Sequence, residues 1–139
     1  METETAAIYC RLSQDDGSVG ESGSIQTQKT LLTQYCGDHH ITIGGYYCDD
    51  GWSGTNFDRP DFKRMLDDIE SRNINMVIVK DLSRFGREYA QMGMYIEHYF
   101  EEKGVRFISV AENIDSKNGI DNLVLPFTNV INSFYARQA

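Results

Sequence analysis

Long apolar runs are missing from this 139-residue chain, and no stretch approaches the ~20 residues of a membrane span. The opening METETAA has neither the basic start nor the apolar stretch of a signal peptide. A cytoplasmic location without membrane association is therefore expected. Cysteine is scarce: Cys10, Cys36 and Cys48 form no CxxC pair and leave an odd thiol, which argues against a disulfide framework or a zinc knuckle. They read as reduced, mostly buried thiols. His39 and His40 have no further His or Cys at ligand spacing and read as the polar end of a helix, so no metal is expected. No GxxxxGK[ST] loop is present, which disfavours nucleotide hydrolysis. The DxDx[TV] and Cx5R nucleophile loops expected of a phosphatase or small-molecule phosphotransferase are missing too. No carboxylate cluster calls for two-metal nuclease chemistry, and no internal repeat or low-complexity tract is visible.

Positive charge is also in short supply, with 13 Lys and Arg against 21 Asp and Glu and a net charge of −8. An enzyme that binds nucleic acid normally carries a basic footprint. Either the chain does not act on DNA, or its DNA affinity resides in a part of the protein outside these residues. The distribution is informative: Arg11, Arg59, Arg84 and Arg87 fall in turn-like segments. Acidic pairs such as Asp67-Asp68 and Glu101-Glu102 fall on helix surfaces.

What is present suits one domain with one core: 40% hydrophobic and 24% charged residues. Residues 6–10 form a short apolar run, read as a buried strand. A polar, glycine-rich loop over 15–24 follows, expected to be the most flexible stretch. Ser24 is placed to cap a helix carrying Ile25, Gln28, Leu31, Leu32 and Tyr35 at helical spacing. A second strand is expected over 41–48 and a loop over 49–58. Pro60 suits the first turn of a helix striped by Phe62, Met65, Leu66 and Ile69. Residues 76–79, all apolar and rich in β-branched side chains, read as a central parallel strand. A charged turn over 80–87 leads to a helix bearing Tyr89, Met92, Ile96, Tyr99 and Phe100, ended by Gly104. A fourth strand is expected over 105–110. Beyond a polar segment, Leu123, Phe127, Val130, Ile131 and Phe134 mark a last helix.

This alternation implies an α/β fold, a mainly parallel sheet with helices on both faces. Such sheets bind ligands outside the carboxyl ends of their strands. That edge would gather Arg11 and Ser13 from the first strand, Asp50, Ser53 and Arg59 from the second, and Arg84 and Arg87 from the third. Arginine is always charged and donates paired hydrogen bonds to phosphate. Several arginines beside one serine point to phosphoryl transfer with the serine as nucleophile, its alkoxide and the pentacoordinate transition state both favoured by positive charge. Each part alone has a plainer explanation: a serine after a strand commonly stabilises a turn, Asp50 can be a turn residue, and Trp52 can anchor its loop. Their co-location favours the catalytic reading.

The same residues carry a family resemblance. Tyr9-Cys10-Arg11-Leu12-Ser13 resembles the Y-x-R-[VL]-S opening of the serine recombinases, the resolvases, invertases and large serine integrases. Asp50-Gly51-Trp52-Ser53-Gly54 followed by Asp58-Arg59-Pro60 is similar to the family's D-x-x-S-G…R-P segment, and residues 80–87, KDLSRFGR, to its second arginine motif. Ser24-Ile25-Gln26-Thr27-Gln28 resembles its S-[IL]-x-x-Q. The likeness spans nearly the whole chain, and its wording is similar to large recombinases of mobile elements such as conjugative transposons.

The resemblance implies site-specific recombination of double-stranded DNA. Ser13 would attack the scissile phosphate to form a 5′-phosphoserine link. Arg11, Arg84 and Arg87 would bind that phosphate, Arg59 and Asp50 would complete the site, and Tyr9, Gln28 and Ser53 would support it. No metal, nucleotide or other cofactor is implied, because the covalent link conserves the bond energy for rejoining. The resemblance also implies a homodimer or tetramer in the full-length protein, exchanging DNA ends by subunit rotation. Residues 1–139 would form the catalytic domain, with 132–139 opening a long interface helix and DNA-binding domains beyond it, which would account for the acidic charge. One departure stands out: Ser83 occupies a position where many small resolvases have Asp, with Asp81 two residues earlier. Larger members often share this pattern, and no acid/base role is carried over from that aspartate. The alternative is a catalytically silent, DNA-associated oligomerisation domain, whose signature would be loss of Ser13 or the arginines.

Overall fold

The computed structural model describes residues 3–13 and 24–118. The expected loop over 15–24, apart from Ser24, lies outside the described residues. So do the expected last helix and the interface helix it was to begin.

The chain alternates strand and helix. β1 (Thr5–Leu12) leads to α1 (Ile25–Asp38), β2 (Thr42–Asp50), α2 (Pro60–Glu70) and β3 (Met76–Val79). A one-turn helix α3 (Leu82–Phe85) precedes α4 (Tyr89–Gly93), which widens into a π-helical segment (Met94–Tyr99) and closes as α5 (Phe100–Lys103). β4 (Arg106–Ser109), a short β5 (Ile114–Asp115) and a 3-10 turn (Ser116–Asn118) follow. The sheet order is β2-β1-β3-β4-β5, parallel except for the antiparallel β4–β5 pair. The expected class holds: an α/β fold with a mainly parallel sheet.

Both faces of the sheet are covered. Ala6, Ile8, Cys10, Met76, Ile78 and Ile108 pack with Leu32 and Cys36 of α1 on one face. Ala7, Tyr9, Val77, Val79 and Phe107 pack on the other face with Phe62, Met65 and Ile69 of α2 and with Phe85, Met92, Ile96 and Phe100. This second layer is rich in tilted and edge-on ring pairs, such as Phe57–Phe62 at 5.0 Å and Phe85–Phe107 at 5.1 Å, the geometries that aromatic quadrupoles favour.

Local signals work as expected at several ends. Ser24 Oγ accepts from Thr27 N at 3.0 Å at the start of α1, and Pro60 opens α2. Gly104 ends α5 in the left-handed region, at φ 71°. Several expectations need correction. β1 and β2 each run two residues beyond the expected strands, because Gly51 N still donates to Leu12 O at 2.6 Å and prolongs the pairing. Asp49 and Asp50 therefore belong to a strand, not a loop. Leu31, one of the helically spaced residues expected in α1, is exposed, whereas Cys36, outside that set, is buried. The turn over 80–87 contains α3, and the polar segment after β4 contains β5, whose Ile114 is buried against the core.

The β1–β2 register shifts between Ala6 and Ala7, where β2 carries one extra residue: Ala6 pairs with Ile43, but Ala7 pairs with Gly45. Side chains alternate along a strand, so one inserted residue exchanges the faces of everything beyond it. Ile43 consequently packs toward α1 while Tyr47 packs toward α2. Asp49 shares that second face and stands opposite Arg11.

Candidate active site

The sheet order places β1 between β2 and β3. The chain reverses its direction of winding there, and such switch points leave a crevice outside the carboxyl ends of the strands. Arg11 and Ser13 occupy that edge. Arg11 is fully buried, and its guanidinium is held by main-chain carbonyls from two other segments. Nε donates to Arg84 O at 3.3 Å, Nη1 to Trp52 O at 3.1 Å, and Nη2 to Ser83 O. Nη1 also donates a long hydrogen bond of 3.5 Å to Ser13 Oγ. One planar donor set thus ties the end of β1 to the loop after β2 and the turn after β3, a use to which arginine is better suited than lysine.

The main chain of Arg11 is fixed from the opposite face. Buried Gln28 of α1 accepts from Arg11 N at 3.2 Å and donates to Arg11 O at 3.1 Å. Arg84 Nη1 adds a 3.4 Å hydrogen bond to the same carbonyl. Gly54 explains how the loop can come so close: a Cβ there would stand 2.7 Å from Arg11 Nη2 and 3.1 Å from Arg87 Cγ. Gly54 O in turn accepts from Arg87 N at 2.7 Å, seating the second arginine turn against the loop.

A second buried network lies beneath. Arg59, fully buried, precedes α2 and donates from Nε to Asn56 O at 2.9 Å and from Nη1 to Tyr9 Oη at 2.7 Å. Its guanidinium sits 4.5 Å from the Phe57 ring centroid and 5.3 Å from that of Phe62, a favourable setting for a desolvated cation. Tyr9 Oη in turn donates a hydrogen bond to Asp49 Oδ2 at 2.7 Å. Burial pushes the Tyr9 phenol far above its ordinary pKa; the Arg59 charge opposes this and the Asp49 carboxylate reinforces it. Tyr9 is therefore a neutral hydrogen-bond relay at physiological pH.

The turn after β3 is built by acids. Asp81 caps α3, with Oδ1 accepting from Arg84 N at 3.1 Å and Ser83 Oγ at 2.6 Å, and its Oδ2 lies 3.9 Å from Arg84 Nε. Glu112, beyond β4, accepts from Leu82 N at 3.2 Å and from Ser109 Oγ at 2.5 Å. Ser83, at the position where many small resolvases have Asp, contributes its carbonyl to Arg11 and its hydroxyl to Asp81.

The resolvase N-terminal domain family matches residues 6–139. The chain belongs to that family. Among solved structures it is similar to the N-terminal catalytic domain of TP901-1 integrase, at 30% identity and TM-score 0.78, covering 97% of this chain and 98% of that one. It is also similar to a resolvase family site-specific recombinase from Streptococcus pneumoniae (25% identity, TM-score 0.70, covering 98% and 91%). A third match is the C-terminal catalytic domain of ISC1926 TnpA, an IS607-like serine recombinase (26%, 0.64, 96% and 84%). A comparison with curated proteins returns no match. The chain is thus a serine recombinase catalytic domain, of a family that carries out site-specific DNA recombination.

Within this recombinase domain the expected residues do not all share one surface. Arg11, Ser13, Gln28, Arg84 and Arg87 converge on the end of β1 and its flanking turns. Arg59 and Tyr9 lie in the buried layer below. Asp50 is exposed at the end of β2. Ser53 shapes its own loop, with Oγ accepting from Thr55 N at 3.1 Å. The carboxylate that enters the buried network is Asp49, which a strand ending at residue 48 leaves in the following loop and so hides from sequence reasoning. Asp81 and Glu112 are also absent from the expected site. Asp81 has a visible signal as an Asp three residues before Arg84, a capping spacing; Glu112 has none, because its contact with Leu82 is remote in sequence. His39 stacks on Tyr35 at 4.0 Å at the end of α1, in keeping with its reading as a helix terminus. Among the described residues no cluster of three or more His, Cys, Asp or Glu is placed to hold a metal, and no helix is long and apolar enough to cross a membrane.

Proposed function

We propose that Ser13 is the nucleophile of a site-specific recombination reaction on double-stranded DNA. The observation that carries this reading is the buried Arg11 guanidinium, anchored by the carbonyls of Trp52, Ser83 and Arg84 with Nη1 3.5 Å from Ser13 Oγ. A fixed cation beside a hydroxyl favours its alkoxide and the charge that builds on an attacked phosphate. In the reaction the Ser13 Oγ–P bond forms as the P–O3′ bond breaks. The serine proton is lost to solvent or a base, and the leaving oxygen is protonated to a 3′-hydroxyl. The product is a 5′-phosphoserine link, and the reverse attack by a 3′-hydroxyl rejoins the strand.

Arg84 and Arg87, on the turn facing Gly54 and Ser13, bind the phosphate oxygens together with Arg11. Arg59 supports them from below, Tyr9, Gln28 and Ser53 hold the frame, and Asp50 acts at the exposed rim. The reaction needs no metal or nucleotide, because the link retains the energy of the broken bond. The working form is a homodimer that pairs into a tetramer. Site recognition resides in DNA-binding domains joined through a helix that continues from this domain, and the net charge of −8 accords with that division of labour.

The test uses the complete protein and a duplex carrying its recombination site, nicked beside the exchange point so that cleavage cannot be reversed. Wild type should become covalently joined to a 5′ end, and Ser13→Ala should not. Equal trapping by both would refute the mechanism and favour a catalytically silent oligomerisation domain.

A further inference from the structure

Tyr9 hydroxyl chemistry permits only one arrangement of the buried network. A guanidinium has donors and no acceptor, so Tyr9 Oη must accept from Arg59 Nη1, at 2.7 Å, and give its single proton elsewhere. The acceptor is Asp49 Oδ2, at 2.7 Å. Asp49 is 1% exposed, and Arg59 and Tyr9 are fully buried. The same carboxylate reaches Arg59 by a second route. Asp49 Oδ1 accepts from Asp61 N at 2.9 Å and Oδ2 from Phe62 N at 3.0 Å. These are first-turn amides of α2, the helix for which Arg59 is the capping residue. Asp49 thus fixes Arg59 through the phenol at its side chain and through the helix start at its main chain. Arg59 Nη2 is buried and has no hydrogen-bond partner among the described residues. A buried donor of this kind is costly unless something engages it.

We propose that Asp49 is a positioning residue of the recombination reaction, acting through Tyr9 to hold Arg59 beneath the arginines that bind the reacting DNA phosphate. The proposal rests on the Ser13 mechanism above and adds a residue that precedes the Asp50–Gly54 segment. Asp49 makes no contact with substrate. Its carboxylate orients the phenol proton, and the oriented phenol leaves its lone pair toward Arg59. Asn at this position keeps one oxygen and cannot serve both Tyr9 and the two α2 amides. Phe at position 9 removes the relay while leaving Asp49 on the α2 amides.

The experiment measures the first-order rate of covalent complex formation on the nicked duplex for the complete protein, alongside DNA affinity by mobility shift and unfolding temperature. Tyr9→Phe should slow the covalent step by about 10- to 100-fold, the loss expected for one charged hydrogen bond, with DNA affinity within about twofold of wild type. Asp49→Asn should slow the same step comparably. The double variant should be no slower than the slower single one, and neither change should matter further in an Arg59→Ala background. Purely structural damage would instead multiply across the variants and would persist without Arg59. Wild-type cleavage by Tyr9→Phe overturns the proposal, even if Asp49→Asn fails to fold, and so does multiplicative loss in the double variant. Ser13→Ala run in parallel separates the failures: if it traps DNA as wild type does, the nucleophile reading falls, and if it does not, only the positioning role is at stake.

Discussion

Replacing Gly54 by alanine tests whether Arg11 is seated as described. The added Cβ would stand 2.7 Å from Arg11 Nη2, 2.8 Å from Arg11 Cζ and 3.1 Å from Arg87 Cγ, whereas ordinary contact begins near 3.4 Å. Relief of the shortest contact, from 2.7 to 3.4 Å, requires a movement of about 0.7 Å. The obstructing group is not the loose end of an exposed side chain: Arg11 is fully buried and tied to the carbonyls of Trp52, Ser83 and Arg84. Overpacking of this kind costs about 1–3 kcal/mol, and a buried group losing a charged partner about 1.5–3 kcal/mol. Relief of the clash and loss of a carbonyl are alternatives in part, so the expected total is about 2–4 kcal/mol. For a domain of this size that lowers the unfolding temperature by roughly 6–15 °C. Catalysis should fall further than stability, because a shift approaching 1 Å near the reacting atoms costs up to about 100-fold. Thermal unfolding measures the first effect and covalent trapping on the nicked duplex, below the unfolding temperature, the second. A Gly54→Ala protein that melts within about 2 °C of wild type and cleaves at the wild-type rate would refute the buried seat of Arg11.

Gly37 provides the opposite expectation: it lies within α1, where an added methyl group would meet open space, so Gly37→Ala should raise stability by about 0.5–1 kcal/mol in urea unfolding. Asp81→Ala removes the cap of α3 and should cost about 1 kcal/mol, while Asp81→Asn, an equally good cap, should restore most of that stability. Both should slow covalent trapping, because both remove the carboxylate charge 3.9 Å from Arg84 Nε; an Asp81→Asn rate equal to wild type would remove Asp81 from the ordering of Arg84. A hydrogen bond from Cys10 holds the Cys48 thiol below its ordinary pKa, against burial and with help from Lys29. The thiolate is the reactive form, so iodoacetamide should modify Cys48 before the buried Cys10 and Cys36, with a rate that rises with pH to a midpoint below the ~8.5 of a free thiol. Cys10→Ala should move that midpoint upward; peptide mass spectrometry reads the result, and an unmoved midpoint would contradict the thiol pairing.

Local chemistry along the chain was enough to specify the α/β class, the strand at Met76–Val79 and several helix ends. Apolar β-branched runs favour buried parallel strands, Ser24 satisfies an amide of its own helix, and Pro60 and Gly104 act through their own backbone preferences. Arg11, Ser13, Arg84 and Arg87 could be assigned to one edge for the same reason: each follows a strand whose direction the α/β alternation sets. How deep each of these groups sits depends instead on segments far apart in the chain. Four arginines read as a charged rim, yet Arg11 and Arg59 are fully buried, because carbonyls and rings from other segments replace the water they lose. Only the fold could single out Asp49 over its neighbour Asp50. One extra residue in β2 exchanges the two faces of the strand, which turns Asp49 inward to Tyr9 and leaves Asp50 in solvent. Pairing across strands carries that parity, and no pattern within a single strand records it.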